Sequence, residues 1–152
     1  NTTPPLRHYF YGGKQEVIVK LVKKAKVNYP NAKVVGAESP PFRELSDEEI
    51  EASLNRIREA KPDFIWIGLG APKQEIWMSK HWQKLKPAIL FGVGAAFDFH
   101  AGTVQRAPRW AQRFGLEWLH RLLQEPERLW KRYFYTNSMF LFYLLKDALF
   151  KK

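Results

Sequence analysis

The sequence predicts an α/β fold, a parallel sheet flanked by helices, followed by a basic helical appendage. Short runs of β-branched and aromatic residues alternate with helical patterns over residues 6–99, which is typical of βαβ units with right-handed crossovers. The composition then changes, since residues 106–152 mix arginine and tryptophan with apolar residues. At 152 residues the chain is long enough for one domain with a proper core and too short for two comfortable ones.

Four apolar runs are predicted to be strands because they are rich in β-branched and aromatic residues and end at turn-forming residues. They are "LRHYFYGG" (6–13), "KVVGA" (33–37), "DFIWIGLG" (63–70) and "AILFGVGAAFDF" (88–99).

Three segments between these runs are predicted to be helices. Residues 14–30 place apolar residues on one face, and Pro30 ends that pattern. Ser46 and Glu49 match a capping box, which predicts a helix over residues 47–60. The third helix is expected over residues 73–85.

Three predicted strands end in glycine-rich sequences, at 11–13 (YGG), 68–70 (GLG) and 92–94 (GVG). Because parallel strands end at the same edge of a sheet, these sequences are expected to line one ligand crevice. Glycine there lets backbone N–H groups approach a phosphate or sugar, beside a helix N-terminus. For any single glycine, tight packing of a strand on a helix is the alternative explanation to ligand binding. The strict G-x-G-x-x-G fingerprint is absent, so a nicotinamide cofactor is not supported.

Three polar residues near that edge are candidates for ligand binding. Lys73 is suited to a phosphate and Gln74 to a sugar hydroxyl, because both follow Pro72 at an expected helix start. The alternative for Lys73, and the favoured interpretation for Glu75, is a solvated first helical turn. Asp98 follows an apolar run predicted as a buried strand. A buried acid there needs a partner, which favours a ligand-facing or hydrogen-bonded role, although an N-cap explains it equally well.

The net charge of +10 is concentrated in the last third of the chain. Residues 106–152 contain 10 Lys and Arg against 4 Asp and Glu, which indicates an acidic partner such as phosphate, nucleic acid or an anionic membrane. Helical spacing puts Arg109 on the same face as Arg113, and Pro126 is predicted to begin a new helix. The apolar run "MFLFYLL" (139–145) is too short to span a bilayer, which needs about 20 residues. An interfacial helix is therefore predicted, with packing on the core or on another subunit as the alternative.

Metal and thiol chemistry are not predicted. The chain has no cysteine and four histidines without metal-ligand spacing. It also lacks an Asp-x-Asp motif, so neither a metal site nor a cofactor is expected. The first ten residues lack the basic start and apolar run of a signal peptide.

The motifs together resemble the WecG/TagA/CpsF family of bacterial glycosyltransferases. The resemblance covers most of the chain and rests on "YGGK" (11–14), "SPPF" (39–42), "GLGAPKQEIWM" (68–78), "GVGAAFDFHAGTVQRAPRW" (92–110) and "GLEWLHRLLQEPERLWKRY" (115–133). It implies a Rossmann-like fold and transfer of N-acetylmannosamine, or its uronic acid, from a UDP-sugar to undecaprenyl-diphosphate-linked N-acetylglucosamine. The products of such enzymes feed wall teichoic acid, enterobacterial common antigen or capsule.

The resemblance also implies roles for individual residues. Residues 1–105 are expected to bind the nucleotide sugar and residues 106–152 the acceptor and the membrane. The family's catalytic Thr and Asp belong to an N-terminal half that has no match here, so no catalytic residue is predicted. The implied binding residues are Gly12, Gly13, Gln74 and Asp98 for the donor, and Arg121 and Arg128 for the acceptor diphosphate.

The expected partners are a UDP-sugar, a lipid-linked acceptor, an anionic membrane surface and a possible second copy of the chain, without nucleic acid. The expected location is the cytoplasm, peripheral on the inner face of the bacterial cell membrane. The alternative hypothesis is a non-catalytic nucleic-acid-binding domain whose arginines and tryptophans contact single strands. That hypothesis leaves the glycine-rich strand ends unexplained. A structural membrane-associated module is the third possibility.

Overall fold

The computed structural model describes residues 4–150, except for the side chains at positions 128, 132 and 148–150. The chain divides into two compact units, Asn1–Val104 and Gln105–Lys152.

The first unit contains a four-stranded sheet in which all strands are parallel. The strands are β1 (Arg7–Gly12), β2 (Lys33–Glu38), β3 (Phe64–Gly68) and β4 (Ile89–Gly92). Their order is β2-β1-β3-β4, with β1 in register against β3 so that Gly12 lies opposite Gly68. The carboxyl ends of the strands therefore share one edge, which confirms that the glycine-rich strand ends lie together.

Four helices of the first unit follow the strands in turn. They are α1 (Gln15–Asn28), α2 (Asp47–Ala60), α3 (Lys73–His81), which continues into a 3-10 helix over Trp82–Leu85, and α4 (Ala96–Ala101). The predicted capping box is confirmed at the start of α2: Ser46 Oγ accepts from the backbone N–H of Glu49 at 3.3 Å, and Glu49 Oε2 accepts from the N–H of Ser46 at 2.9 Å.

The sheet carries a hydrophobic core on each face because strand side chains alternate between faces. On one face the β1 and β3 side chains pack with Leu54 and Ile57 of α2; these strand residues are Tyr9, Tyr11, Ile65 and Ile67. On the other face Phe10 and Trp66 pack against α1 and α4 through a cluster of Val17, Ile18, Leu21, Phe97 and Ala101.

The fourth predicted strand is wrong over most of its length. The strand ends at Gly92, and residues 96–101 form α4 instead of continuing to residue 99. The chain turns between them, where the N–H of Ala96 donates to the carbonyl oxygen of Val93 at 3.1 Å. The strand is also not fully buried, since Ile89 is 54% exposed and Phe91 is 38% exposed at the edge of the sheet.

The second unit is helical, as its composition predicted. Its helices are α5 (Arg109–Arg113), α6 (Glu117–Gln124) and α7 (Pro126–Phe150). Pro126 is the first residue of α7, as expected for a residue that lacks a backbone N–H and fits the first helical turn. Ala107, Ala111 and Leu129 are its buried apolar side chains among the described residues.

Candidate functional site

The turn after β1 is held closely against the end of β3. The N–H of Gly13 donates to the carbonyl oxygen of Gly68 at 3.0 Å. A Cβ atom at Gly12 would lie 2.7 Å from the carbonyl carbon of Gly68, a distance that real Cβ atoms do not show. Close approach of strand to strand therefore explains Gly12, and packing on the ring of Phe97 in α4 explains Gly68.

A cavity of about 320 Å³ lies beside this turn. Gly13, Tyr11 and Gly68 from the strand ends line it, together with the loop over residues 40–45 and one side of α3. Its charged lining consists of the cations Arg43, Lys73 and Lys80, the single carboxylate Glu44 and the titratable ring of His81. The excess of positive charge makes the cavity suited to an anionic ligand.

The loop over residues 39–45 is fixed at its start and at its end. Ser39 Oγ donates to the carbonyl oxygen of Gly13 at 2.6 Å, which ties the loop to the glycine turn. At the other end, Arg43 donates two hydrogen bonds, of 2.7 and 2.6 Å, to the carboxylate of Glu49. The Arg43 hydrogen bonds and the backbone N–H of Ser46 lower the pKa of Glu49 to about 2. The wall of the cavity is therefore preorganised.

Glu38, the last residue of β2, anchors the same loop to α2. Its carboxylate accepts hydrogen bonds from Ser53 and from Arg56, the latter at 2.7 and 3.1 Å. Burial by itself raises the pKa of Glu38, but the hydrogen bonds from Arg56 and Ser53 outweigh it and leave the pKa below its usual value of 4.5. The charged form is therefore the one that the fold stabilises.

Glu38→Gln is expected to lower the free energy of unfolding at pH 7 by about 2 kcal/mol, the typical worth of hydrogen bonds to a charged group. A group with a lowered folded-state pKa stabilises the protein above its unfolded pKa, and that stability is lost as pH falls through the folded pKa. Urea unfolding between pH 3 and pH 7 should therefore show a shallower pH dependence in the variant than in the wild type. Parallel curves would contradict this role for Glu38.

Gln74, on α3, is buried, and its side chain lies against Gly92 and Gly94 where β4 ends. Its side chain is 7% exposed, and its Nε2 donates to Glu75 Oε1 at 2.9 Å. A Cβ atom at Gly92 would lie 3.0 Å from that Nε2, and one at Gly94 would lie 3.5 Å from the Oε1. A Cβ atom at Gly92 would thus be crowded by the amide of Gln74, whereas Gly94 is explained by its φ of +49°.

The Oε1 atom of Gln74 is buried and accepts no hydrogen bond from the described residues. Leaving a buried acceptor unsatisfied costs about 1–3 kcal/mol. An O–H or N–H group of a ligand at the strand edge would remove that cost.

Asp98 does not occupy the position that the sequence predicted. It lies in α4 rather than at a strand end, and Ala95 is the N-cap of that helix, so the N-cap alternative is wrong as well. The side chain is half-buried and its Oδ1 accepts from Thr103 Oγ1 at 3.4 Å. A strand could not continue this far because the chain had already turned at Gly94.

The predicted binding residues of the first unit therefore separate into three places. Gly13 and Lys73 line the same cavity, with Gly12 directly beneath the turn. The side chain of Gln74 lies at the end of β4, and Asp98 lies on α4. Sequence reasoning missed Arg43 and Lys80, which add two of the three cations of the cavity. Arg43 directly follows the "SPPF" motif, which was the available signal.

In the second unit, Arg121 lies on α6 with its Nε 3.9 Å from Glu125 Oε2. The side chain of Arg128 lies outside the described residues, so its predicted role stays a prediction. Among the described helices, none is long and apolar enough to cross a membrane. Within the described part of the chain, no three His, Asp or Glu side chains form a group that could hold a metal ion.

Comparison with known proteins identifies the family. A family model described as "Glycosyl transferase WecG/TagA/CpsF family" matches residues 2–152. An N-acetylglucosaminyldiphosphoundecaprenol N-acetyl-beta-D-mannosaminyltransferase of Bacillus subtilis (strain 168) is 36% identical over 126 residues. The protein of the same name from Bacillus spizizenii (strain ATCC 23059 / NRRL B-14472 / W23) is 33% identical over 129 residues.

Both alignments cover 83% of this chain and 47% of the relative, so the chain spans about half the length of the curated relatives it matches. The comparisons favour the glycosyltransferase interpretation over nucleic-acid binding. Because the family model matches almost the entire sequence, the chain belongs to the WecG/TagA/CpsF family of glycosyl transferases.

Proposed function

We propose that this chain supplies the donor-binding part of an enzyme that transfers N-acetylmannosamine, or its uronic acid, from a UDP-sugar to undecaprenyl-diphosphate-linked N-acetylglucosamine. The reaction would serve the synthesis of teichoic acid or a related cell-surface polysaccharide. The names of the two Bacillus relatives supply the acceptor and the mannosaminyl group. One observation carries the proposal for this chain, namely the cavity at the carboxyl edge of the sheet with its three cations.

The chemistry of the transfer explains what the cations would do. Negative charge grows on the departing UDP as its bond to the sugar breaks, and positive groups fixed nearby lower that barrier. Lys73 and Lys80 lie on α3 and line the cavity, so they could bind the diphosphate. Arg43 lies on the opposite loop, where its guanidinium is paired with Glu49. The acceptor hydroxyl also needs a general base, and no residue of this chain is assigned that role.

Gln74 and Asp98 are proposed to act on the sugar side of the donor. The unsatisfied Oε1 of Gln74 offers a hydrogen-bond acceptor next to Gly94. A hydroxyl or acetamido N–H of the sugar matches it, and a buried, fixed acceptor discriminates strongly against a ligand that lacks the donor group.

UDP is expected to bind the purified chain in buffer without divalent metal, and Lys73→Gln is expected to weaken that binding about 10-fold or more. Losing one charge-assisted hydrogen bond costs about 1.5–3 kcal/mol, and each 1.4 kcal/mol is a factor of ten in affinity. Isothermal titration calorimetry with UDP measures both values. Gln74→Ala and Asp98→Ala should weaken the binding of UDP-N-acetylmannosamine more than that of UDP.

Lys20→Gln is the matched control, because Lys20 is an exposed lysine of α1 that does not line the cavity. Its affinity for UDP should equal that of the wild type. Binding that appears only with Mg²⁺ or Mn²⁺, or equal losses in the Lys73 and Lys20 variants, would contradict the proposed site.

The second unit is proposed to hold the lipid-linked acceptor at the membrane. Arg121 and Arg128 would bind the acceptor diphosphate, since a guanidinium matches phosphate oxygens in a bidentate way. The excess of six positive charges in residues 106–152 supports contact with an anionic surface. The enzyme would then be peripheral on the inner face of the cell membrane.

A further inference from the structure

A second cavity, of about 350 Å³, lies on the opposite face of the sheet from the proposed donor site. Its floor is formed by β1 and β3, and its sides by the second half of α1 and by α4. Six aromatic rings line it, those of His8, Phe10, Tyr29, Trp66, Phe97 and His100. Most of the remaining lining is small or aliphatic, so the cavity is an apolar slot. Its volume falls within the range of small-molecule sites, about 300–1,000 Å³.

The polar groups of this slot carry positive charge or can donate hydrogen bonds. Lys24, Asn28, His8 and His100 line it together with the rings, and the lining contains no carboxylate. The ammonium of Lys24 lies over Gly102, where a Cβ atom would be only 2.6 Å away. Gly102 is the C-cap of α4, with φ = +73°, so the Lys24 ammonium lies at the end of that helix.

His8 presents a donor rather than an acceptor. Its Nδ1 accepts a hydrogen bond from Trp66 Nε1 at 3.1 Å. Burial lowers the pKa of His8, although Asp63 opposes the shift, so the ring is neutral near pH 7. A neutral imidazole with an acceptor at Nδ1 carries its proton on Nε2.

We propose that this slot binds a single-chain amphiphile with an acyl tail and a monoanionic carboxylate head, with Lys24 and His8 as partners of the head. One ammonium matches one negative charge, and no carboxylate is among the described lining residues, since Asp63 acts on His8 from outside the lining. A dry cavity of about 150 Å³ accommodates benzene, so a volume of about 350 Å³ accommodates roughly 14 carbon atoms by the same ratio. Aromatic and aliphatic walls fit the tail.

Dodecanoate is the probe that tests this proposal, used below its micelle concentration with the complete chain. It is expected to raise the melting temperature in a saturable way. Dodecanol and dodecylammonium, which have the same tail, are expected to bind at least 10-fold more weakly because they lack the negative charge. Lys24→Gln should weaken dodecanoate binding at least 10-fold, whereas Lys23→Gln, at the exposed neighbouring position, should leave it unchanged.

Ala25→Phe places a ring into the slot from α1 and should abolish dodecanoate binding while UDP affinity stays at its wild-type value. Retained UDP affinity also shows that the variant is folded. If the variant does not fold, the proposal is still tested by Lys24→Gln and by comparing dodecanoate, dodecanol and dodecylammonium on the wild type. Equal binding of all three amphiphiles, or equal affinity in the Lys24 and Lys23 variants, would overturn the proposal. A concentration-dependent dimer that Ala25→Phe removes would also overturn it, by assigning the slot to a second copy of the chain.

Discussion

Gly12→Ala is expected to lower the free energy of unfolding by about 3 kcal/mol or more. The residue has φ = +117°, a region in which an L side chain is strained by about 1–3 kcal/mol. The added Cβ would also meet the backbone of Gly68 at 2.7 Å, and two strands held in register cannot separate locally. At about 2–4 °C per kcal/mol for a chain of this size, thermal unfolding should show a drop of about 10 °C.

Gly70→Ala is the matched control for that substitution. Gly70 has φ = +77°, but a Cβ atom there would have nothing within 4 Å. The control therefore experiences only the conformational cost, about 1–2 kcal/mol. If both variants lose the same stability, the contact between the ends of β1 and β3 does not matter and the backbone conformation alone accounts for Gly12.

The fold was largely predictable because its signals are local. Each signal is contained within a few residues of sequence. They are the alternation of side chains along β1 and β3, the capping box at Ser46 and the proline that begins α7. The predicted fourth strand failed for a physical reason. Residues 88–99 are apolar except for Asp98, and composition alone does not separate a buried strand from a short buried helix. In the turn after Gly92, the N–H groups of Val93 and Gly94 donate to the carbonyl oxygen of Ile67, which is distant in sequence.

The candidate site was predictable only in part, for the same reason. The rule that parallel strands end at one edge placed Gly13 and Lys73 together, and both line the cavity. Arg43 was not predicted as a site residue because its position depends on Glu49, which also caps α2. No local pattern shows that the amide of Gln74 is buried, since its neighbours in sequence are polar or exposed.

The triple variant Phe134→Ser/Leu141→Ser/Leu145→Ser is expected to bind anionic vesicles about 100-fold more weakly than the wild type. Successive spacings of seven and four residues put these exposed side chains on one stripe of α7, and Phe134 is 72% exposed. Full burial of such a side chain is worth about 1.5–3 kcal/mol. Partial burial in the membrane interface is worth about 1 kcal/mol for each of the three side chains, and the sum of about 3 kcal/mol corresponds to the expected loss of affinity. Co-sedimentation with vesicles that contain phosphatidylglycerol measures it.

The control variant is Thr136→Ser/Tyr143→Ser, because these positions lie on the opposite side of α7 and leave the stripe intact. It should bind the vesicles within a few-fold of the wild type. Each basic residue near an anionic surface contributes about 1 kcal/mol, and salt screens this attraction. Wild-type binding should therefore weaken on neutral vesicles and at 0.5 M NaCl. Equal sedimentation of both variants with the wild type, or indifference to lipid charge and salt, would show that α7 packs against protein and that the acceptor reaches the enzyme without this helix.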